Sequence, residues 1–155
     1  MDEQEYRDTY HSVNDRRCVF EKTINSRRCT CSKSRRFHLA DREGIACRSA
    51  SANALCRELL DNMRSKARFA LHQTSASGPL PHAREIKVQT GGMLGLQAVS
   101  FPEKVGNTHV ENIIGTIDKA LQEYRSLDDL PYDVIVQAIV KFEGRPRRSR
   151  TDRKD

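Results

Sequence analysis

The sequence lacks tryptophan, and only 6% of its residues are aromatic. It also lacks any apolar run that approaches the roughly 18 residues of a membrane-spanning helix. Residues 1–5 are acidic in character and show neither the basic segment nor the apolar segment of a secretory signal. These absences predict a cytoplasmic protein with no membrane partner.

Cysteine is absent from most of the chain, because all five cysteines lie between Cys18 and Cys56. An odd number of cysteines excludes complete disulfide pairing within one chain, and thiols in the cytoplasm stay reduced. In that compartment a cysteine cluster indicates metal binding or reactive thiols before it indicates disulfides.

The cysteine cluster therefore predicts a metal site formed by Cys29, Cys31, Cys47 and Cys56, with Cys18 as an alternate ligand or a free thiol. Soft thiolates favour an iron–sulfur cluster or zinc. The spacing matches no standard zinc or ferredoxin signature. Because paired short zinc motifs are lacking, an iron–sulfur cluster is the first prediction and a zinc ion is the alternative. Packing of the cysteines as small apolar residues is a further alternative.

Three functions fit these observations. The first is a small cysteine-ligated metalloprotein that holds an iron–sulfur cluster for electron transfer, redox sensing or cluster handling. The second is a zinc-stabilised module that binds nucleic acid or protein, and the third is a metal-free regulatory or interaction protein. No cysteine, histidine and acid form a convincing catalytic set, which argues against an enzyme.

The formal net charge of +6 is unevenly distributed, with basic residues concentrated in residues 15–36 and 141–155. Such regions favour an acidic protein partner, with nucleic acid phosphates as the alternative. Few aromatic residues lie near the first region, which weakens the nucleic acid alternative. The arginines predicted to bind the partner are Arg27, Arg28, Arg35, Arg36, Arg147 and Arg148.

The apolar patterns predict a mainly α-helical small domain. A strong helix is predicted over residues 52–71, preceded by an N-cap at Ser49 or Ser51. A second is predicted over 109–126, where Thr108 and Glu111 form a capping box.

Other segments carry weaker patterns. A short helix is predicted over residues 37–46. Residues 134–142 fit both the helical and the strand period, with the helix preferred. Alternation around a pair of glycines predicts a short β-hairpin near residues 85–97.

The predicted organisation is a single domain with extended ends, as suits a chain of 155 residues. Residues 1–14 form a flexible acidic arm, and residues 144–155 form a basic disordered tail. The domain, 15–143, comprises a cysteine-rich part (15–74) and a helical part (85–143). The irregular cysteine-rich loops show no apolar period, so a bound metal is expected to fix them.

Overall fold

The structure is a computed structural model that describes residues 2–71 and 80–144. The predicted mainly α-helical fold is confirmed, because these residues form six α-helices and one two-stranded antiparallel sheet. No helix within these two ranges is both long and apolar enough to cross a membrane. The predicted basic tail lies outside the described residues from position 145 onwards.

The helices, in chain order, are α1 (Glu3–Val13), α2 (Glu21–Asn25), α3 (Ala50–Ala67), α4 (His82–Ser100), α5 (Ile113–Tyr124) and α6 (Tyr132–Lys141). The two strands, β1 (Ser34–Leu39) and β2 (Arg42–Cys47), lie between α2 and α3. Short 3-10 turns at Pro102–Lys104 and Leu127–Asp129 precede α5 and α6.

Helix α4 lies at the centre of the fold and packs against α2, α3, α5 and α6. Every residue from Val88 to Met93 is buried, so the helix has no exposed side over that stretch. The predicted hairpin near residues 85–97 is therefore wrong. Alternating apolar residues indicated strands there, but a helix buried all round shows no single apolar stripe and can carry the same pattern.

Two glycines four residues apart bring α4 close to α6. A Cβ added at Gly91 would lie 2.7 Å from the Cα of Ile139, and one at Gly95 would lie 2.8 Å from the Cβ of Ala138. The neighbour of Gly91 is backbone, which cannot move aside without moving the helix. The absence of a side chain at position 91 therefore sets the distance between α4 and α6.

The three helices predicted from the helical period are confirmed, with shifted ends. α3 begins after Ser49, whose hydroxyl accepts a hydrogen bond from the Ala52 N–H at 3.1 Å. α5 begins later than predicted, with Asn112 rather than Thr108 at its N-cap. The segment that fitted both periods is the helix α6.

Strands β1 and β2 occupy the segment predicted as a helix over residues 37–46. They pair antiparallel with Leu39 opposite Arg42, so Ala40 and Asp41 form a two-residue turn. Ala40 has a φ of 54°, a backbone conformation in which glycine or asparagine is usual. Because the turn contains neither residue, the sequence gives little indication of a hairpin here. The cysteine-rich part is therefore more regular than predicted.

Residues 3–13 of the predicted flexible arm form helix α1. Tyr10 on this helix is 5% exposed, and its hydroxyl donates to the buried carboxylate of Glu21. The same carboxylate accepts hydrogen bonds from Arg17 and from the Ile45 N–H, both at 2.8 Å. Glu21 thus connects α1, α2 and β2.

A second buried carboxylate, Glu85 on α4, joins that helix to α3. Glu85 is 1% exposed and accepts hydrogen bonds from Arg64 at 2.6 Å, the Leu80 N–H at 3.1 Å and the Gln89 amide at 3.1 Å. Burial by itself would raise the pKa of the Glu85 carboxyl. The hydrogen bonds and the charge of Arg64 outweigh burial, so this pKa lies below its usual value.

The hydrogen-bonded chain continues from α4 into α2. The Gln89 Oε1 accepts a hydrogen bond from the Thr23 N–H at 3.2 Å, and the hydroxyls of Thr23 and Thr90 lie 2.7 Å apart. The Thr23 hydroxyl also lies 3.2 Å from the Sγ of Cys29, to which it donates. Buried polar contacts therefore fix the cysteine-rich part against the central helix.

Replacing Glu85 with Gln is expected to lower the free energy of unfolding at neutral pH by about 3 kcal/mol. Arg64, whose side chain is only 16% exposed, then keeps only the exposed carboxylate of Asp61 as a counter-charge. Folding lowers the pKa of Glu85, so its contribution is complete above the unfolded value of about 4.3 and is lost as the pH falls towards the folded value. Urea unfolding in neutral and acidic buffer measures this difference, which should shrink in acid.

The matched control is Asp61→Asn. Asp61 also contacts Arg64, at 3.2 Å, but its side chain is 63% exposed. This variant is expected to change the free energy of unfolding by less than about 0.5 kcal/mol. Equal destabilisation by the two variants would contradict the role assigned to Glu85.

Replacing Gly91 with Ala is expected to destabilise the protein by about 1–3 kcal/mol through overpacking against α6, although alanine favours helix by about 1 kcal/mol. The control is Gly115→Ala on α5, where an added Cβ meets only the Asn112 side chain, at 2.9 Å. Thermal unfolding should show a lower midpoint for the first variant only. A raised midpoint for both would show that α6 does not restrict position 91.

Candidate functional site

Four cysteines line one small cavity beside the hairpin. They are Cys18, Cys31, Cys47 and Cys56, and the space between them is termed the thiol cavity. Its volume is about 20 Å³, which is room for a single water molecule. The cavity is too small to hold an organic cofactor.

Backbone pairing brings these cysteines together. Cys18 lies beside β2, since its N–H donates to the Ile45 carbonyl at 2.9 Å. Cys47 ends β2, and Cys31 lies in the turn that enters β1, where its carbonyl accepts a hydrogen bond from the Ser34 N–H at 3.2 Å. Cys56 reaches the cavity from α3, the helix that follows β2 directly.

Cys29, one of the predicted ligands, lies outside the thiol cavity. It is fully buried, at 0% exposure, and its backbone bridges to Val110 in a parallel arrangement. Burial raises the pKa of its thiol to about 11, although the hydrogen bond from Thr23 acts in the opposite direction. Cys29 is therefore a core thiol that fixes the loop before β1.

Two thiols of the cavity, Cys18 and Cys56, are held in the protonated form. Burial raises the pKa of Cys18 to about 12, and it raises the pKa of Cys56 as well. Charge on the neighbouring cavity thiols would raise both values further. The Sγ of Cys47 donates to the Ser49 carbonyl at 3.2 Å. All five cysteines are free thiols.

The prediction of a cysteine-ligated metalloprotein is wrong. Within residues 2–71 and 80–144, no group of three or more histidine, cysteine, aspartate or glutamate side chains could hold a metal ion. The predicted ligand set is divided, because Cys29 faces Thr23 while the others line the thiol cavity with Cys18. The iron–sulfur cluster and its zinc alternative lose their basis with this set.

Two of the predicted partner-binding arginines share one carboxylate of the fold. Arg27 and Arg36 both contact the carboxylate of Glu43, at 3.1 and 2.5 Å. Because one carboxylate serves two guanidinium groups, these arginines are held near the hairpin. Arg147 and Arg148 lie outside the described residues, so their role stays a prediction.

Two more of the predicted arginines make local contacts. Arg28 donates a hydrogen bond to the Gly144 carbonyl. Arg35 is exposed and lies over the ring of Phe37, with 5.6 Å between the guanidinium carbon and the ring centroid. Neither contact involves a carboxylate, so both arginines keep their positive charge, and Arg28 also joins the end of the described chain to the loop before β1.

Three other cations, Arg16, Lys33 and Arg48, belong to segments joined by hydrogen bonds beside the thiol cavity and are termed the cationic rim. All three are exposed, and none joins an ion pair in the described part of the chain. Lys33 lines the cavity, and its carbonyl accepts a hydrogen bond from the Arg48 N–H at 2.8 Å. Arg16 donates to the Cys47 carbonyl at 3.2 Å.

Analysis of the sequence alone missed the cationic rim, because charge density gave no reason to separate these residues from neighbouring arginines. A usable signal was present in the sequence. Arg48 directly follows Cys47, while Lys33 and Arg16 are each two positions from a cavity cysteine. When cysteines come together in the fold, the cations one or two positions from them along the chain are also brought close to one another.

A larger groove of about 860 Å³ lies between α1, the hairpin and the start of α4. Two of its cations are paired with carboxylates: Arg42 contacts Glu3 at 2.8 Å, and Arg17 contacts Glu21 at 2.6 Å. With these charges paired internally, the groove is a weaker candidate than the cationic rim for binding a charged partner.

Comparisons of the chain with protein-family models, with curated proteins and with solved structures found no match. The thiol cavity and the cationic rim are the features from which a function is inferred.

Burial should make the five thiols unequal towards an alkylating reagent. In neutral buffer, iodoacetamide is expected to modify the half-buried Cys31 and Cys47 first, and Cys29 on the order of a hundredfold more slowly, because reaction requires an accessible thiolate. Raising the pH should accelerate modification of Cys29, whose pKa is about 11. Peptide mapping by mass spectrometry measures each rate.

The urea-unfolded protein is the control, in which all five cysteines should react at similar rates. Modification of Cys29 as early as Cys31 in the folded protein would contradict the burial described for this thiol.

Proposed function

We propose that this protein binds an acidic protein partner through the cationic rim beside the thiol cavity. The observation that carries the proposal is three exposed, adjacent cations without a carboxylate partner in residues 2–71 and 80–144. Carboxylates on a partner would supply the missing counter-charges and would accelerate association through long-range attraction.

The backbone supports this proposal, because it holds the rim in place. The Arg48 N–H donates to the Lys33 carbonyl at 2.8 Å, which extends the pairing of the hairpin, and the Cys47 N–H donates to the Arg16 carbonyl at 2.8 Å. The three cations therefore extend from neighbouring, paired segments. A partner would not have to order this backbone before binding, which lowers the cost of association.

The surroundings of the rim favour a protein partner over a nucleic acid. Proteins that bind single strands stack bases on exposed aromatic rings. Phe20, which lines the thiol cavity, is 0% exposed, and Phe37 lies between Arg35 and the ring of Tyr10. Recognition of carboxylates needs only the charges and their placement.

Replacing Lys33 and Arg48 together with Gln is expected to weaken binding of an Asp- and Glu-rich peptide about tenfold at low salt, since each exposed charge contributes up to about 1 kcal/mol. Fluorescence anisotropy of a labelled peptide measures the affinity. Added salt should weaken binding to the native protein more than binding to the variant.

The matched control removes the same charge from elsewhere by replacing Arg27 and Arg42 with Gln, since both side chains already contact carboxylates. This variant should bind the peptide nearly as well as the native protein. Equal losses in the two double variants would indicate attraction by net charge alone. Tighter binding of a single-stranded oligonucleotide than of the peptide would also overturn the proposal.

A further inference from the structure

The thiol cavity combines two kinds of cysteine under one cationic rim. Cys31 and Cys47 are half-buried, whereas Cys56 is buried on α3. All of them face the same space of about 20 Å³ as Cys18 and Lys33. Thiols that share so small a space are placed to react with one another once the first of them has been oxidised.

We infer that the thiol cavity is a site of thiol–disulfide exchange with the disulfide of a small anionic thiol, and that Cys31 is the first cysteine to react. This chemistry goes beyond binding of an acidic protein, although the same cationic rim would serve both. Glutathione disulfide represents the chemical class, because each half carries two carboxylates and one ammonium group.

The exchange is balanced without any further reactant. The Cys31 sulfur gives up its proton and attacks one sulfur of the small disulfide, so the S–S bond of that disulfide breaks and a mixed disulfide forms. The released thiolate takes up a proton. A second cavity thiol then attacks the Cys31 sulfur and releases the second small thiol. Two protein thiols become one disulfide, and one small disulfide is reduced to two thiols.

Hydrogen bonding and accessibility favour Cys31 as the first thiol. The Cys47 thiol donates a hydrogen bond to the Ser49 carbonyl, and this bond favours the protonated form of Cys47. Cys56 is buried, and desolvation raises the pKa of both Cys18 and Cys56, which keeps their thiols protonated. Cys31 is half-buried and lies two residues before the cation Lys33.

The cationic rim would select the charge of the small disulfide. Lys33 lines the cavity, and Arg16 and Arg48 are joined to it through the backbone around Cys47. Positive charge at the entrance raises the local concentration of an anionic reactant and lowers that of a cationic one. A neutral disulfide gains nothing from these charges.

The test compares three small disulfides of different charge on the reduced native protein, in buffer with a chelator. They are glutathione disulfide, the neutral hydroxyethyl disulfide and the cationic cystamine. Intact-mass spectrometry follows the reaction, and each rate is divided by the rate of the same disulfide with the urea-unfolded protein. This ratio should be about tenfold higher for glutathione disulfide than for the neutral one at low salt, and lowest for cystamine.

Peptide mapping identifies the cysteines that react. The mixed disulfide should form at Cys31, followed by a disulfide between Cys31 and another cavity cysteine. The Cys31→Ser variant should lose the reaction, whereas Cys29→Ser should keep it. The charge preference should disappear in the Lys33→Gln, Arg48→Gln double variant and persist in Arg27→Gln.

Two results would overturn the inference: equal normalised rates for the three disulfides, or first modification at a cysteine other than Cys31. The comparison of disulfides uses the native chain, so it does not depend on the folding of any variant. Failure here is distinguishable from failure of acidic partner binding, because Cys31→Ser leaves the cationic rim intact and should still bind the acidic peptide.

Discussion

The arrangement of the cysteine-rich part against the central helix α4 depends on the buried carboxylate of Glu85. A charge at 1% exposure is stable only when its partners are in place, and Glu85 finds them on α3, on α4 and in the segment before α4. Gln89 bonds both to Glu85 and to Thr23 on α2. The position of the cysteine-rich part on the central helix is thus specified by polar contacts as well as by apolar packing.

The sequence predicts the helices that have one buried side and fails for the one that is buried all round. α3 and α5 each show an apolar stripe, so their period identifies them even though the cap of α5 lies later than expected. α4 owes its surroundings to Gly91 and Gly95, which admit α6, and to buried polar residues that would ordinarily indicate exposure. Those features become interpretable only with the neighbouring helices known.

The sequence predicts that the candidate site contains cysteines, but it does not predict which of the cysteines line it. Clustering along the chain predicted one site for these cysteines, but it could not separate Cys29, which bridges to Val110, from Cys18, which pairs with β2 beside the thiol cavity. The density of positive charge likewise identified the basic region, but not which of its cations lack a carboxylate partner. Only the structure reveals that Arg27 and Arg36 share the carboxylate of Glu43, whereas no cation of the rim contacts a carboxylate within the described ranges 2–71 and 80–144.

The neutral thiol cavity and the charged rim depend on each other. If the cavity thiols were ionised, the rim cations beside them would be attracted inwards and would lose the excess charge that a partner could recognise. Burial keeps Cys18 and Cys56 protonated, so these two thiols supply no counter-charge to the rim. Lys33 and Arg48 are exposed, and within residues 2–71 and 80–144 neither of them forms an ion pair with a carboxylate.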